Sequence, residues 1–288
     1  MIFLLLSVAA SSVLFVIFKL FSKFNINTLQ AIIFNYLTAC VCGFIAHGKP
    51  VSIPQIISFS WFYHSLGLGL VFIGVFYVMA ITTQRNGLSV VAVASKMSVV
   101  IPILVGVYYF KESIGAMKVS GILIALLSIY LVTVNPNKIK GGSFLFPVLV
   151  FLGSGFIDTS LNFLKEKYVS THDISVFSAM LFATAGFAGL IIFIFQTVQG
   201  KFQFELKNLI GGLILGISNY FSIYFIIKAF SYKGFESSTV ITINNVGVLI
   251  VTTLLGVILF GENLTSQNKL GIFLAATGII LVGLSGNF

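Results

Sequence analysis

The chain has 288 residues, of which 58% are hydrophobic and only 8% charged, with a formal net charge of +9 and a mean hydropathy of +1.10. A soluble domain carries about 25% charged residues, so this composition excludes a water-facing globule and marks a polytopic membrane protein. All but one of the sixteen Lys and Arg stand singly at the ends of apolar runs, where side chains reach headgroups, and they form no patch or stripe of the kind that nucleic acid requires.

A membrane helix needs about 20 apolar residues. The first run, Ile2–Phe21, starts like a signal peptide, but it lacks a basic region ahead of it and stays apolar to Phe21, so it reads as an uncleaved first span. Leu29–Ala46 is the second run. Its Cys40 and Cys42 point to different helix faces and read as small packing residues. The sequence HGKPVSIPQ, with two prolines, is expected to be a loop. Trp61–Thr82 opens with Trp61, Phe62 and Tyr63, an aromatic group of the kind found at membrane interfaces, and His64 follows it there. Leu88–Phe110 carries Lys96 well inside, with Pro102 beyond it, and Gly115–Val134 is the fifth run.

Asn135–Ser143 (NPNKIKGGS) is the most polar and turn-rich connection. It divides the chain into 1–134 and 144–288. The second part holds Phe144–Leu164, Ile174–Val198, Leu206–Phe230, Glu236–Phe260 and Gln267–Leu284. The parts are related: an offset of 150 superposes Gly106, Phe110, Glu112, Gly121 and Ala125 on Gly256, Phe260, Glu262, Gly271 and Ala275. Five spans per half is an odd number, so the second half enters the membrane upside down. The expected fold is therefore an all-α integral membrane protein of ten transmembrane helices in two inverted five-helix repeats, the plan of many secondary transporters. Charge does not orient it. Seven basic residues fall on the connections of one side and eight on those of the other, which leaves the positive-inside rule without a preference.

Lys96 is the leading candidate for chemistry. It lies about 12 Å into its helix at 1.5 Å per residue, and a charge at that depth costs at least ~2.5–3.5 kcal/mol unless it faces the bundle interior. It binds an anionic solute group or titrates during transport; the alternative is a permanent buried ion pair. Asp158 is the other deep charge. If the fourth and sixth spans run in parallel, the two differ in depth by about 9 Å, within reach of a long Lys side chain. Asp158 is also a candidate proton site, because desolvation raises a carboxyl pKa while a nearby Lys lowers it; the alternative is a packing hydrogen-bond acceptor. Asn244 and Asn245 fall opposite Lys96 under the repeat offset. Asn219 and Tyr220 lie midway along the eighth span, and Asn162 one turn beyond Asp158. Each amide reads either as a solute contact or as interhelical glue, and Tyr220 either as a ligand contact or as a packed aromatic. Glu112 and Glu262 each stand before a helix start, where a carboxylate suits the helix dipole, so loop ordering and capping are expected of them. Lys19, Lys118 and Lys228 are expected to snorkel. Small residues at 65–69 (Ser-Leu-Gly-Leu-Gly), Gly211–Gly212 with Gly216, and Gly271 with Ala275 suit close helix approach. Pro102 frees a backbone carbonyl and is expected to kink the helix that holds Lys96.

The repeat endings Gly-Val-Tyr-Tyr-Phe-Lys-Glu (106–112) and Gly-Val-Ile-Leu-Phe-Gly-Glu (256–262), each followed by a Gly-containing helix, resemble the EamA-like branch of the drug/metabolite transporter superfamily. The likeness covers nearly the whole chain. The first ending departs from the family's usual Gly-Glu, with Lys111 before Glu112. The resemblance implies alternating access around a midplane cavity by a monomer or homodimer in the cell membrane, with the bacterial inner membrane as the expected location and export as the expected direction. It implies a small-molecule substrate, the lipid bilayer as the other partner, proton coupling as an option through Asp158, and no cofactor. Relatives that carry sugar phosphates use several cavity cations. A single Lys96 points instead to an amino acid or carboxylate. The rival functions are a non-transporting scaffold or receptor, which has no need of buried Lys and Asp, and a membrane lipid-modifying enzyme, which needs a cluster of His, Asp, Glu or Cys near one interface.

Overall fold

The computed structural model describes residues 2–48, 51–109, 115–133, 144–170, 173–200, 205–230 and 237–285. Their regular structure is helical: α1 (Ile2–Lys23), α2 (Thr28–His47), α3 (Ile53–Ser58), α4 (Phe62–Asn86), α5 (Leu88–Met97), α6 (Val100–Tyr109), α7 (Ala116–Thr133), α8 (Leu145–Lys167), α9 (Ile174–Val198), α10 (Leu206–Phe230), α11 (Ser237–Phe260) and α12 (Ser266–Ser285). Six of the described helices are long and apolar enough to cross a membrane, and shorter apolar helices cover Leu88–Pro102, Val119–Val132 and Leu145–Leu161. The expected junction at Asn135–Ser143 contains only residues outside the described ones, and so do Lys111 and Glu112 of the first repeat ending.

Three local expectations are corrected. The loop around Pro50 and Pro54 contains the one-and-a-half-turn helix α3, with a proline in its first turn, where the missing N–H would have had no partner anyway. Trp61 does not face headgroups: it is fully buried in the protein, stacked on Phe59 at 4.8 Å and edge-on to Phe177 at 5.4 Å. Tyr63, by contrast, is 73% exposed, and the exposed His64 ring stacks on Tyr168 at 4.9 Å. The fourth expected span is two helices, α5 and α6, separated at Ser98–Val99. The cause is Pro102, because a proline clashes with the carbonyl four residues back, here that of Ser98. That carbonyl instead accepts from Ile101 N at 2.9 Å.

The chain forms two compact units, Met1–Leu20, Val78–Phe156 and Phe221–Phe288 in the first, and Phe21–Tyr77 and Ile157–Tyr220 in the second. In the second unit α2 packs along α9. A Cβ on Gly43 would meet the Ala179 Cβ at 2.9 Å and one on Gly189 would meet Ile33 Cγ1 at 2.8 Å, so the two helices run antiparallel. Glycines of α10 press on α2: a Cβ on Gly212 would lie 2.6 Å from Ala31 O, and one on Gly216 would lie 2.6 Å from Asn35 O. In the same way a Cβ on Gly69 of α4 would lie 2.7 Å from Leu181 O of α9. Both pairs run parallel. Small residues admit such backbone contacts, and van der Waals packing of this kind is what holds helices together in lipid. Tyr36 fills the middle, fully buried, its hydroxyl donating to Phe72 O at 2.9 Å.

In the first unit α7 packs along α12, again antiparallel: a Cβ on Gly271 would meet Ser128 O at 3.1 Å, and one on Gly278 would meet Gly121 O at 3.3 Å. The α5 helix packs on α11 with its N-terminal Leu88 against Gly256 near the end of α11, so this pair is antiparallel too. Ala92, Val93, Met97, Leu249, Ala275 and Ile279 share the core that these helices enclose.

Candidate functional site

The interruption between α5 and α6 gives Lys96 a setting that a continuous helix would lack. Lys96 lies in the last turn of α5. The final carbonyls of a helix have no intrahelical donors and carry partial negative charge, so a cation there is favoured even far from water. Seven of the ten residues of α5 are buried; Val90, Ser95 and Lys96 are half-buried. Equal steps along the antiparallel α5 and α11 from the Leu88–Gly256 contact bring Lys96 level with Val248. Asn244 and Thr252 are then each about one turn away along α11. Asn244 is 8% exposed and Thr252 fully buried, and neither Asn244 Oδ1 nor Thr252 Oγ1 has a hydrogen-bond partner among the described residues. Asn245 is half-buried. At 3.6 residues per turn it lies about 150° round α11 from the exposed stripe of Ile243, Ile250, Leu254 and Val257.

Asp158 is carried by α8. This helix shows an exposed apolar stripe of Leu145, Leu149, Leu152, Phe156 and Phe163, the face that suits lipid. At 3.6 residues per turn Asp158 lies about 150° away from that stripe, yet it is exposed. A carboxylate that is accessible on the side turned away from lipid meets water or a solute, not hydrocarbon. Asn162 stands one turn further along α8, and its side chain lies outside the described ones.

Asn219 lies on the face of α10 opposite its exposed stripe and is 2% exposed; Tyr220 beside it is 5% exposed. The Asn219 amide donates to Asn35 Oδ1 of α2 at 3.2 Å. At the start of α2, Asn208 of α10 donates to Gln30 Oε1 at 2.6 Å and accepts from the Asn27 backbone N–H at 2.8 Å. A line of amides thus joins α2 to α10. Asn35 is fully buried, and its signal in the sequence was an amide inside the otherwise apolar second run. The predicted residues divide between the units. Lys96, Asn244 and Asn245 belong to the first; Asp158, Asn162, Asn219 and Tyr220 belong to the second.

Two residues assigned to helix ends have other work. Glu262 does not cap α12, which follows it. Thr265 does: its hydroxyl accepts from Asn268 N at 3.1 Å, and Asn268 Oδ1 accepts from Thr265 N at 3.2 Å. Glu262 reaches α5 instead. Lys19 does not simply snorkel: its ammonium donates to Thr83 O at 3.4 Å and lies 3.9 Å from Glu262 Oε1. Lys228 is exposed, with its ammonium 5.6 Å from the Tyr224 ring centre, and the Lys118 side chain lies outside the described ones.

Residues 144–284 match the model of the EamA-like transporter family. Through these residues the chain is similar to that family. The family is part of the drug/metabolite transporter superfamily, and its members are transporters, not enzymes. With the apolar helices, this likeness supports a multi-pass membrane protein. An uncharacterised protein of Haemophilus influenzae (strain ATCC 51907 / DSM 11121 / KW20 / Rd) is 27% identical over 282 residues, which cover 96% of this chain and 95% of that protein. A solved structure described only as the crystal structure of a protein has the same fold, with a TM-score of 0.61 at 14% identity, covering 100% of this chain and 98% of that one.

Proposed function

We propose that this EamA-like protein is a secondary-active transporter of a small polar metabolite, an amino acid or carboxylate, working by alternating access with export as its direction. The observation that carries the proposal is Lys96, half-buried in the last turn of a helix interrupted inside an apolar segment. Interrupted helices form the ion and solute sites of many transporters. Lys96 reads the anionic group of the solute. Asn244 and Asn245 are the proposed hydrogen-bonding partners on α11. Asp158, with Asn162, Asn219 and Tyr220, supplies further solute contacts, and Asp158 is the proposed proton carrier, since its accessible face turns away from lipid.

The proposed scaffold is ten spans in two inverted repeats, 1–134 and 144–288. Three antiparallel pairings support it, α2 with α9, α5 with α11 and α7 with α12. Each joins helices of the same rank in the two halves. The reciprocal contacts of α10 with α2 and of α4 with α9 follow the same symmetry.

The test is a thermal-shift screen of the purified protein in detergent against amino acids, carboxylates, sugar phosphates and nucleosides, run on wild type and Lys96→Ala together. A ligand at 100 times its Kd stabilises the folded state by about 2.7 kcal/mol. The expected result is that one amino acid or carboxylate raises the midpoint of the wild type and not of Lys96→Ala. Equal shifts in both proteins overturn the role of Lys96, and stabilisation by a sugar phosphate overturns the substrate class.

A further inference from the structure

The N-terminus of α5 has no cap of its own. Its N-cap position is Gly87, at φ 104°, which has no side chain to offer the first amides of the helix. Leu88 is fully buried and Ser89 is 2% exposed, so water does not serve those amides either, and a buried N–H without a partner is costly. The partner comes from elsewhere in the chain. Glu262 Oε1 accepts from Leu88 N at 2.7 Å, and Oε2 accepts from Ser89 N at 3.3 Å and from the Ser89 hydroxyl at 3.1 Å. Glycines on both sides admit the carboxylate. A Cβ on Gly87 would lie 2.7 Å from Oε1 and one on Gly256 would lie 2.8 Å from Oε2. Glu262 is itself anchored, its backbone N donating to Gly256 O at 3.1 Å.

We infer that Glu262 is the N-cap of α5, supplied from the far end of α11, and that through it Glu262 is a positioning residue for Lys96. The α5 helix is a ten-residue rod, free at neither end: Glu262 holds its first turn and the Pro102 interruption defines its last. Lys96 rides on that last turn, about 12 Å along the axis from Leu88. A shift of the first turn is therefore delivered to Lys96 by a rigid element. The ion pair with Lys19, at 3.9 Å between side chains 25% and 13% exposed, is secondary, because partly solvated pairs at that distance contribute little. The consequence for solute binding rests on the proposed role of Lys96; the cap itself does not.

The test separates the two. In full-length protein with Cys40→Ser and Cys42→Ser, Ser95→Cys places a thiol beside Lys96, and its alkylation by a maleimide is timed in detergent and in vesicles without any solute. Loss of a helix N-cap is worth about 1 kcal/mol, a roughly fivefold change in the population of a displaced α5. Glu262→Gln and Ser89→Ala are expected to change the alkylation rate in the same sense, by about fivefold and by a smaller factor respectively. Lys19→Met should alter it by about twofold or less. The charge swap Lys19→Glu with Glu262→Lys should not restore the rate, because an ammonium cannot accept from the amides of Leu88 and Ser89. Rates within twofold of the parent for Glu262→Gln, or full restoration by the swap, overturn the inference. If the rates change as expected while no solute responds to Lys96→Ala, the cap stands and the transport reading fails instead.

Discussion

Two stretches related by an offset of 150 residues take different forms. Leu88–Tyr109 is broken into α5 and α6, whereas Ser237–Phe260 is the single helix α11. The difference lies in a few side chains. Pro102 has Thr252 as its counterpart, so the carbonyl of Ser98 is lost to the helix while that of Val248 is not. The broken copy carries Lys96; the continuous copy carries Asn244 and Asn245 at the corresponding level. The pairing is physically consistent. A helix C-terminus such as the break creates favours a cation, and amides have no such preference. The copy with the proline carries the charge, and the copy without it keeps its rod-like form.

The harshest way to break this comparison is to transplant the proline. Thr252 is fully buried in the interior of α11, and Thr252→Pro is expected to destabilise the protein by roughly 3 kcal/mol or more. A thermal midpoint that stays within a degree of wild type would mean that α11 tolerates the same interruption and that the asymmetry is accidental. The reverse change is gentler. Pro102→Ala returns a donor to the Ser98 carbonyl, with an expected gain of about 1 kcal/mol for the restored hydrogen bond. Hydrogen exchange should then show new protection at residue 102, and solute-induced stabilisation through Lys96 should fall, since the helix terminus beneath it is gone. Undiminished solute response in a healed helix would detach Lys96 from the break.

The smallest effect belongs to the caps. The α5 helix borrows its cap from Glu262, while α12, starting only a few residues after Glu262, is capped locally by Thr265. Thr265→Ala should cost about 0.5–1 kcal/mol and leave the alkylation rate at position 95 unchanged. A matching change at position 95 would show that the two ends are coupled more widely than the Glu262 contact implies.

Composition and period alone set the membrane class, the helical content and the approximate bounds of the long apolar runs. Lipid leaves the backbone no partner but itself, so any long apolar run must be a helix. The Gly-Val endings related the two stretches 150 residues apart, and Pro102 announced a kink, because a missing N–H is a local property of the chain; packing turned the kink into a break at Ser98–Val99. Partners were another matter. Glu262 reads in sequence as the neighbour of α12, and only the packing of α5 against α11 brings it to Leu88 and Ser89. Trp61 looks interfacial by composition but is sealed between Phe59 and Phe177. Asn35 is one amide in an apolar run until α10 places Asn219 beside it. Sequence lists donors, acceptors and apolar faces along one dimension; which of them meet depends on helix register and rotation across hundreds of residues, and that is fixed only when the helices pack.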